Sequence, residues 1–306
     1  MDFSNIFLQM FILFSLMIVG YLCNHYHILG KAENKMLSKL VMTVGVPGLI
    51  IASVKNGCPF DDRMELFYVL LVVSGVNMLL PPISIVINKI LHVQEDSSLY
   101  KFMFIFPNAG FIGFPVISAI FGEGALIYAA LFQLPHNVLM YTYGISLVNG
   151  GHRAKTSLKD FINPCIVAAL IACVICLCDI KEPQMIWQSC TYLGNITTPL
   201  GMLIIGSSLA DMDMKHVLDD LKVIPFIFLK LLLFPLIVYG IMHMFVTNEI
   251  LVYVVTITLA MPVATNAVIM TNVYDGNVQL SSKTVFLTTV CSILSIPLLC
   301  MILTGF

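Results

Sequence analysis

The stretch 104-FIFPNAGFIGFPVISAIFG-122, with its counterpart 257-ITLAMPVATNAVIMTNVYDG-276 about half the chain away, decides how this sequence folds. Both are apolar enough for hydrocarbon, yet proline breaks each of them. Inside a bilayer an unmade backbone hydrogen bond is expensive, so non-helical chain at membrane depth is tolerated only where it lines a protein cavity or a binding site. In the first stretch Pro107 and Pro115 bracket Asn108, Gly110 and Gly113. Proline removes helix hydrogen bonds and glycine adds freedom, both within one short segment. A helix restarting at Phe114 and Pro115 aims its first amides and its positive dipole end at the midplane, since proline suits a first helical turn. The second stretch repeats the pattern with Pro262, Thr265 and Asn266.

The surrounding composition places these breaks in a membrane. Of the 306 residues 59% are hydrophobic and only 10% charged, with a mean hydropathy of +0.96, against roughly 25% charged in soluble domains. A soluble fold cannot hide that much apolar surface. The net charge of -2 comes without a basic stripe, so nucleic acid is not an expected partner. The first apolar run, Asn5 to Cys23, has no Lys or Arg before it and is longer than a signal-peptide core, which reads as a retained first span. Of nine cysteines, Cys23, Cys165, Cys173, Cys176, Cys178 and Cys291 sit in or beside apolar runs without zinc-type spacing. No metal and no cofactor is expected.

At roughly 20 residues per span, the sequence predicts helices near 5–24, 37–55, 66–90, 100–121, 124–148, 161–179, 185–210, 223–246, 250–272 and 281–304. Loops after odd-numbered spans, with the adjoining span edges, hold Lys31, Lys35, Lys39, Lys89, Lys101, Arg153, Lys155, Lys159, Lys215, Lys222 and Lys283. The other side holds Lys55, Arg63 and Lys181. By the positive-inside rule both termini face outward. Three proline pairs then recur at nearly one spacing: Pro47 with Pro199, Pro81 with Pro235 and Pro107 with Pro262, at offsets of 152, 154 and 155. They fall in corresponding spans of two five-span halves, 1–149 and 161–306, joined by a short cytoplasmic linker, 150–160. Because five is odd, the second half enters the membrane from the opposite face. The fold expected is therefore an all-α polytopic membrane protein of ten helices in two inverted repeats, the architecture of alternating access. Two restarted helices then point their N-termini toward one another, a field that favours an anion.

Few side chains inside the spans carry chemistry. Asn108 and Asn266 offer amides that either bind a carboxylate or cap a free helix end. Lys230 lies about seven residues from the cytoplasmic edge, about 11 Å deep, where it serves as an anion counter-charge or as a snorkelling, structural lysine. His136, after Pro135, either binds a proton or is a hydrogen-bonded structural histidine. All seventeen acidic residues fall in loops or at span ends. Coupling therefore stays open between His136, the substrate's own carboxyl, sodium held by carbonyl and hydroxyl oxygens, and none. Without buried aspartates or an HExxH motif, no enzyme is expected. The polar stripe Thr288, Thr289, Ser292 and Ser295 reads as helix contact.

The segment PNAGFIGFPV, starting at Pro107, resembles the proline and asparagine pattern of the auxin efflux carrier family. VGVPGL in the second span, ALFQLPHNVLMYTYGI in the fifth, LGNITTPLGMLIIGSSLA in the seventh and MPVATNA in the ninth support it over essentially the whole chain. That family includes plant PIN-type auxin carriers and bacterial proteins labelled malate or organic-acid permeases; the short loop after the fifth span departs from the plant carriers. The resemblance implies that helices 4 and 9 cross at their breaks, as in bile-acid sodium symporters. Spans 3–5 and 8–10 would form a transport domain, and spans 1, 2, 6 and 7 a scaffold and a candidate homodimer interface. Pro107 and Asn108, and Pro262 with them, carry over to the substrate site. The expected function is secondary transport of a small organic carboxylate in the cell membrane, bound by helix N-termini near Phe114 and Ala264, with a passive anion channel and a ligand sensor as rivals.

Overall fold

Several prolines mark where the helices of this chain change course, whereas Pro81, Pro82, Pro135 and Pro297 lie inside continuous helices. The computed structural model of the protein describes residues 3–54, 63–93, 95–148, 164–178, 180, 184–210, 223–273 and 276–303. Every regular element among them is helical, apart from one isolated β-type pairing of Pro107 with Val263. Linker 150–160 and the basic residues Lys55, Arg153, Lys155, Lys159, Lys181, Lys215 and Lys222 lie outside the described residues.

In chain order the helices are α1 (Phe3–His25), α2 (Lys31–Leu40), α3 (Val46–Ala52), α4 (Arg63–Ile90), α5 (Ser97–Ile105), α6 (Phe114–Phe121), α7 (Leu126–Leu139) and α8 (Ile145–Val148). After the linker come α9 (Pro164–Cys178), α10 (Gln184–Asn195), α11 (Thr197–Ala210), α12 (Val223–Phe228), α13 (Phe234–Phe245), α14 (Glu249–Leu259), α15 (Asn266–Val273) and α16 (Val278–Leu303). Wide π-turns join α2 to α3 (Val41–Gly45), lead into α6 (Ala109–Gly113), join α7 to α8 (Met140–Gly144) and join α12 to α13 (Leu229–Leu233). Pro47, Pro115 and Pro235 each follow such a turn by two residues. A proline ring clashes with the carbonyl four residues back and offers no N–H; a π-turn, bonding five residues apart, relieves that conflict without ending the helix.

This corrects one expectation. Helical backbone resumes at Ala109, a turn earlier than Phe114, and Gly113 is already helical at φ -62°, ψ -51°. The restarted helix therefore opens on Ala109 rather than on Phe114 and Pro115.

Four described helical runs are long and apolar enough to cross a bilayer: Lys31–Ala52, Met64–Ile90, Val223–Phe245 and Val278–Leu303. Shorter apolar helices include Phe11–His25, Ala109–Phe121, Pro164–Ile175 and Glu249–Leu259. Large side chains such as Met78 (75% exposed) and Leu294 (78% exposed) face outward, the side that lipid covers in a multi-pass membrane protein.

The chain divides into two compact units. The first comprises Met1–Val72, Gly110–Leu134 and Ile162–Asp211. Inside it α1 packs along α11, and α3 against α9 and α10. Close approach explains the glycines here: a Cβ on Gly206 would run into the Met17 carbonyl, and one on Gly194 would lie 2.8 Å from the Leu49 Cα. Small residues let membrane helices touch backbone to backbone, where packing rather than hydrophobic burial holds them together. Beside Gly206, Ser207 Oγ accepts from Asn24 Nδ2 at 3.1 Å and from Asn34 Nδ2 at 2.8 Å.

The second unit comprises Val73–Ala109, Pro135–Phe161 and Met212–Phe306. Here α13 packs on α14, and α16 on α15, α14 and the Leu229–Leu233 turn. Aromatic contacts tie α5 to this group: Tyr100 meets Phe226 with ring centroids 5.3 Å apart, and Phe104 meets Phe234 at 4.7 Å. Edge-on contacts at such distances add to the stabilisation from burial alone.

Candidate functional site

The second unit brings the two broken stretches together. Helix α5 ends at Ile105, α14 ends at Leu259, and the extended residues beyond them run antiparallel. Asn108 N donates to Pro262 O at 2.7 Å, and Ala264 N donates to Phe106 O at 3.1 Å. Pro107 and Val263 face each other between these bonds. Two proline-broken segments that cannot satisfy themselves therefore satisfy each other, as a low-dielectric setting requires. Pro107, Asn108, Pro262, Val263 and Ala264 are all buried.

Helix α15 restarts at Asn266, with Ala267 N on Ala264 O at 2.9 Å and Val268 N on Thr265 O at 3.1 Å. Thr265 and Asn266 remain half-exposed, and Asn266 Nδ2 reaches Met140 Sδ at 3.7 Å. The crossing thus joins the carbonyl ends of α5 and α14 to the amide end of α15. Carbonyl ends attract cations and amide ends attract anions.

Lys230 and His136 belong to the same unit. Lys230 lies in the Leu229–Leu233 turn, fully buried, and its Nζ donates to Phe104 O at 2.7 Å while sitting 5.5 Å from the Phe104 ring centroid. Its ammonium caps the end of α5, so it does not snorkel. His136 Nδ1 lies 2.8 Å from Asn77 Oδ1. Asn77 Nδ2 donates to Val73 O at 2.8 Å, so the amide turns its oxygen to the imidazole and assigns the ring proton to Nδ1. The His136 ring packs edge-on against Phe106, with centroids 5.2 Å apart, placing it beside the crossing.

Asn108, Pro107, Pro262, Ala264, Thr265, Asn266, Lys230 and His136 thus fall in one unit, whereas Gly110, Gly113, Phe114 and Pro115 fall in the other. In that unit a Cβ on Gly110 would meet Met42 Cε at 3.4 Å.

Two further residues matter at the crossing. Thr288 Oγ1 accepts from Val263 N at 3.1 Å while donating to Thr284 O at 2.7 Å. It supplies the acceptor that the break between α14 and α15 needs, although its place in a polar stripe points only to helix contact. Asn77, the partner of His136, is one of two amides in the apolar run 66–90; Asn88 lies near the end of the run, and the mid-span place of Asn77 is the signal that finds it.

The model of the membrane transport protein family matches this chain over residues 5–157 and 152–300. The chain belongs to that family. An uncharacterized transporter of Methanocaldococcus jannaschii is 24% identical over 292 residues, covering 92% of this chain and 94% of its own length. An uncharacterized transporter of Methanothermobacter thermautotrophicus is 24% identical over 290 residues, covering 92% and 93% respectively. Among the described residues no cluster of His, Cys, Asp and Glu is arranged to hold a metal ion.

Proposed function

We propose that this chain is a secondary carrier of small organic carboxylates, related to the auxin efflux carriers and their malate-permease-like members, working by alternating access at the crossing. The observation that carries the reading is the mutual bonding of Asn108 with Pro262 and of Phe106 with Ala264, which fixes two broken helices at one buried point. The carboxylate is bound by the amide end of α15, near Ala264, Thr265 and Asn266, with the Asn108 amide setting its orientation. Lys230 lends a positive field from the end of α5. In this reading spans 3–5 and 8–10 form a transport body that carries the crossing and α1–α3 with α9–α11 form a scaffold, with elevator-like or rocking movement between states; placing the crossing and α12–α16 in one compact unit and those six helices in another supports it, whereas Gly110–Leu134 groups with the scaffold helices. Ten spans in two inverted halves, outward termini and residence in the cell membrane complete the reading, supported by the proline offsets and the lysine distribution.

The test is current recording on proteoliposomes over solid-supported membranes, presenting malate, succinate, lactate and indole-3-acetate with and without sodium or proton gradients, followed by labelled counterflow. Asn108→Ala is the decisive variant. Its truncation leaves the backbone bond to Pro262 intact, so the expected outcome is a rise in substrate half-saturation of about tenfold, the loss of about 1.4 kcal/mol of binding. Unchanged affinity and rate would reject the assignment of Asn108 to the site. Conductance without counterflow would favour the channel.

A further inference from the structure

Helix α5 ends inside the protein with carbonyls that its own backbone does not serve. Pro107 has no N–H to return to Met103, and the Asn108 N–H goes forward to Pro262 O at 2.7 Å instead of back to Phe104. Phe106 O accepts from Ala264 N at 3.1 Å. Phe104 O accepts from Lys230 Nζ at 2.7 Å, with Lys230 0% exposed. In the sequence, none of the seventeen acidic residues lies in the interior of an apolar span, so no span-interior carboxylate is available to neutralise that ammonium. What faces the ammonium is the negative end of a helix and the face of the Phe104 ring, 5.5 Å away.

Carbonyl ends of broken membrane helices are where transporters place coupling cations. Here a side-chain cation already occupies that place, held there by the wide Leu229–Leu233 turn that carries Lys230. We propose that Lys230 is a tethered cation that fills the position of a coupling metal ion at the carbonyl end of α5, so the crossing assembles without sodium. Removing the ammonium opens a sodium site there. The chemistry is a substitution of one monovalent cation for another against the same oxygen. A bound sodium and the ammonium repel each other at such short range in a low-dielectric interior, so the intact protein excludes the ion.

The inference rests on reading the crossing as a transport site, but its test needs no organic substrate, so the two readings fail separately. Purified protein is unfolded by heat in NaCl and in choline chloride of equal ionic strength, and radioactive sodium binding is measured alongside. The expected result is a wild-type midpoint indifferent to the choice of salt, with no saturable sodium binding. Lys230→Ser should unfold lower than wild type in choline and recover in NaCl along a saturating sodium titration, with saturable sodium binding. Lys230→Arg, which keeps a cation, should behave as wild type. A Lys230→Ser midpoint equally depressed in both salts would reduce the lysine to a structural cap. Saturable sodium stabilisation of the wild type, or a Lys230→Ser protein that cannot be recovered even in sodium buffer, would equally overturn the proposal.

Discussion

Replacing Thr288 by valine isolates a side-chain bond that holds the break between α14 and α15. Valine keeps the volume of threonine, so no cavity opens, but the Val263 N–H loses its acceptor at 3.1 Å. Val263 is fully buried, so water cannot replace the hydroxyl. An orphaned buried donor costs about 1–3 kcal/mol. For a chain of this size, about 2 kcal/mol lowers the unfolding midpoint by about 3 °C. Two neighbours on the same helix provide matched controls. Thr284 Oγ1 donates to Leu280 O at 2.8 Å and Thr289 Oγ1 to Val285 O at 2.7 Å, bonds to carbonyls four residues back in their own helix. Such back-bonding contributes little or nothing to helix stability, so Thr284→Val and Thr289→Val should be near neutral. Thermal unfolding in detergent, followed with a thiol-reactive dye on the buried Cys165, Cys173 and Cys300, reads the difference. If all three valine variants shift the midpoint equally, Thr288 does not hold the break.

Three further outcomes follow from the same geometry. Asn77→Leu removes the acceptor of His136 Nδ1 and should cost about 1–3 kcal/mol; paired with His136→Phe in a double-mutant cycle it should show coupling of at least about 0.5 kcal/mol, and strict additivity would deny the pair. Gly206→Ala drives a methyl into the Met17 carbonyl and should destabilise by about 1–3 kcal/mol through overpacking. Gly75→Ala, with open space around its Cβ inside α4, should instead raise stability by about 0.5–1 kcal/mol, and equal effects in the two variants would contradict the close approach of α1 and α11.

Much of this protein follows from the sequence alone. Apolar runs of spanning length, separated by charged loops, place it in a bilayer, because hydrocarbon tolerates only chains that satisfy their own backbone. Prolines at 107 and 262 mark the breaks for the same reason, and a proline in the fourth span paired with one in the ninth already singles out the two segments that meet. Tertiary structure decided what each break does with its freed groups. Pro107 faces Val263 between the two bonds, where no N–H is called for, and Pro262 joins the pairing through its carbonyl alone, so neither proline leaves a donor missing. Pro115 does not start a helix, because the Ala109–Gly113 turn widens to accommodate it. Thr288 and Lys230 sit on other spans, and their sequence positions reveal nothing about which orphaned carbonyl or amide they will reach. Hydropathy is a property of a segment read along the chain, whereas the partner of a broken helix is set by which segment the fold places against it.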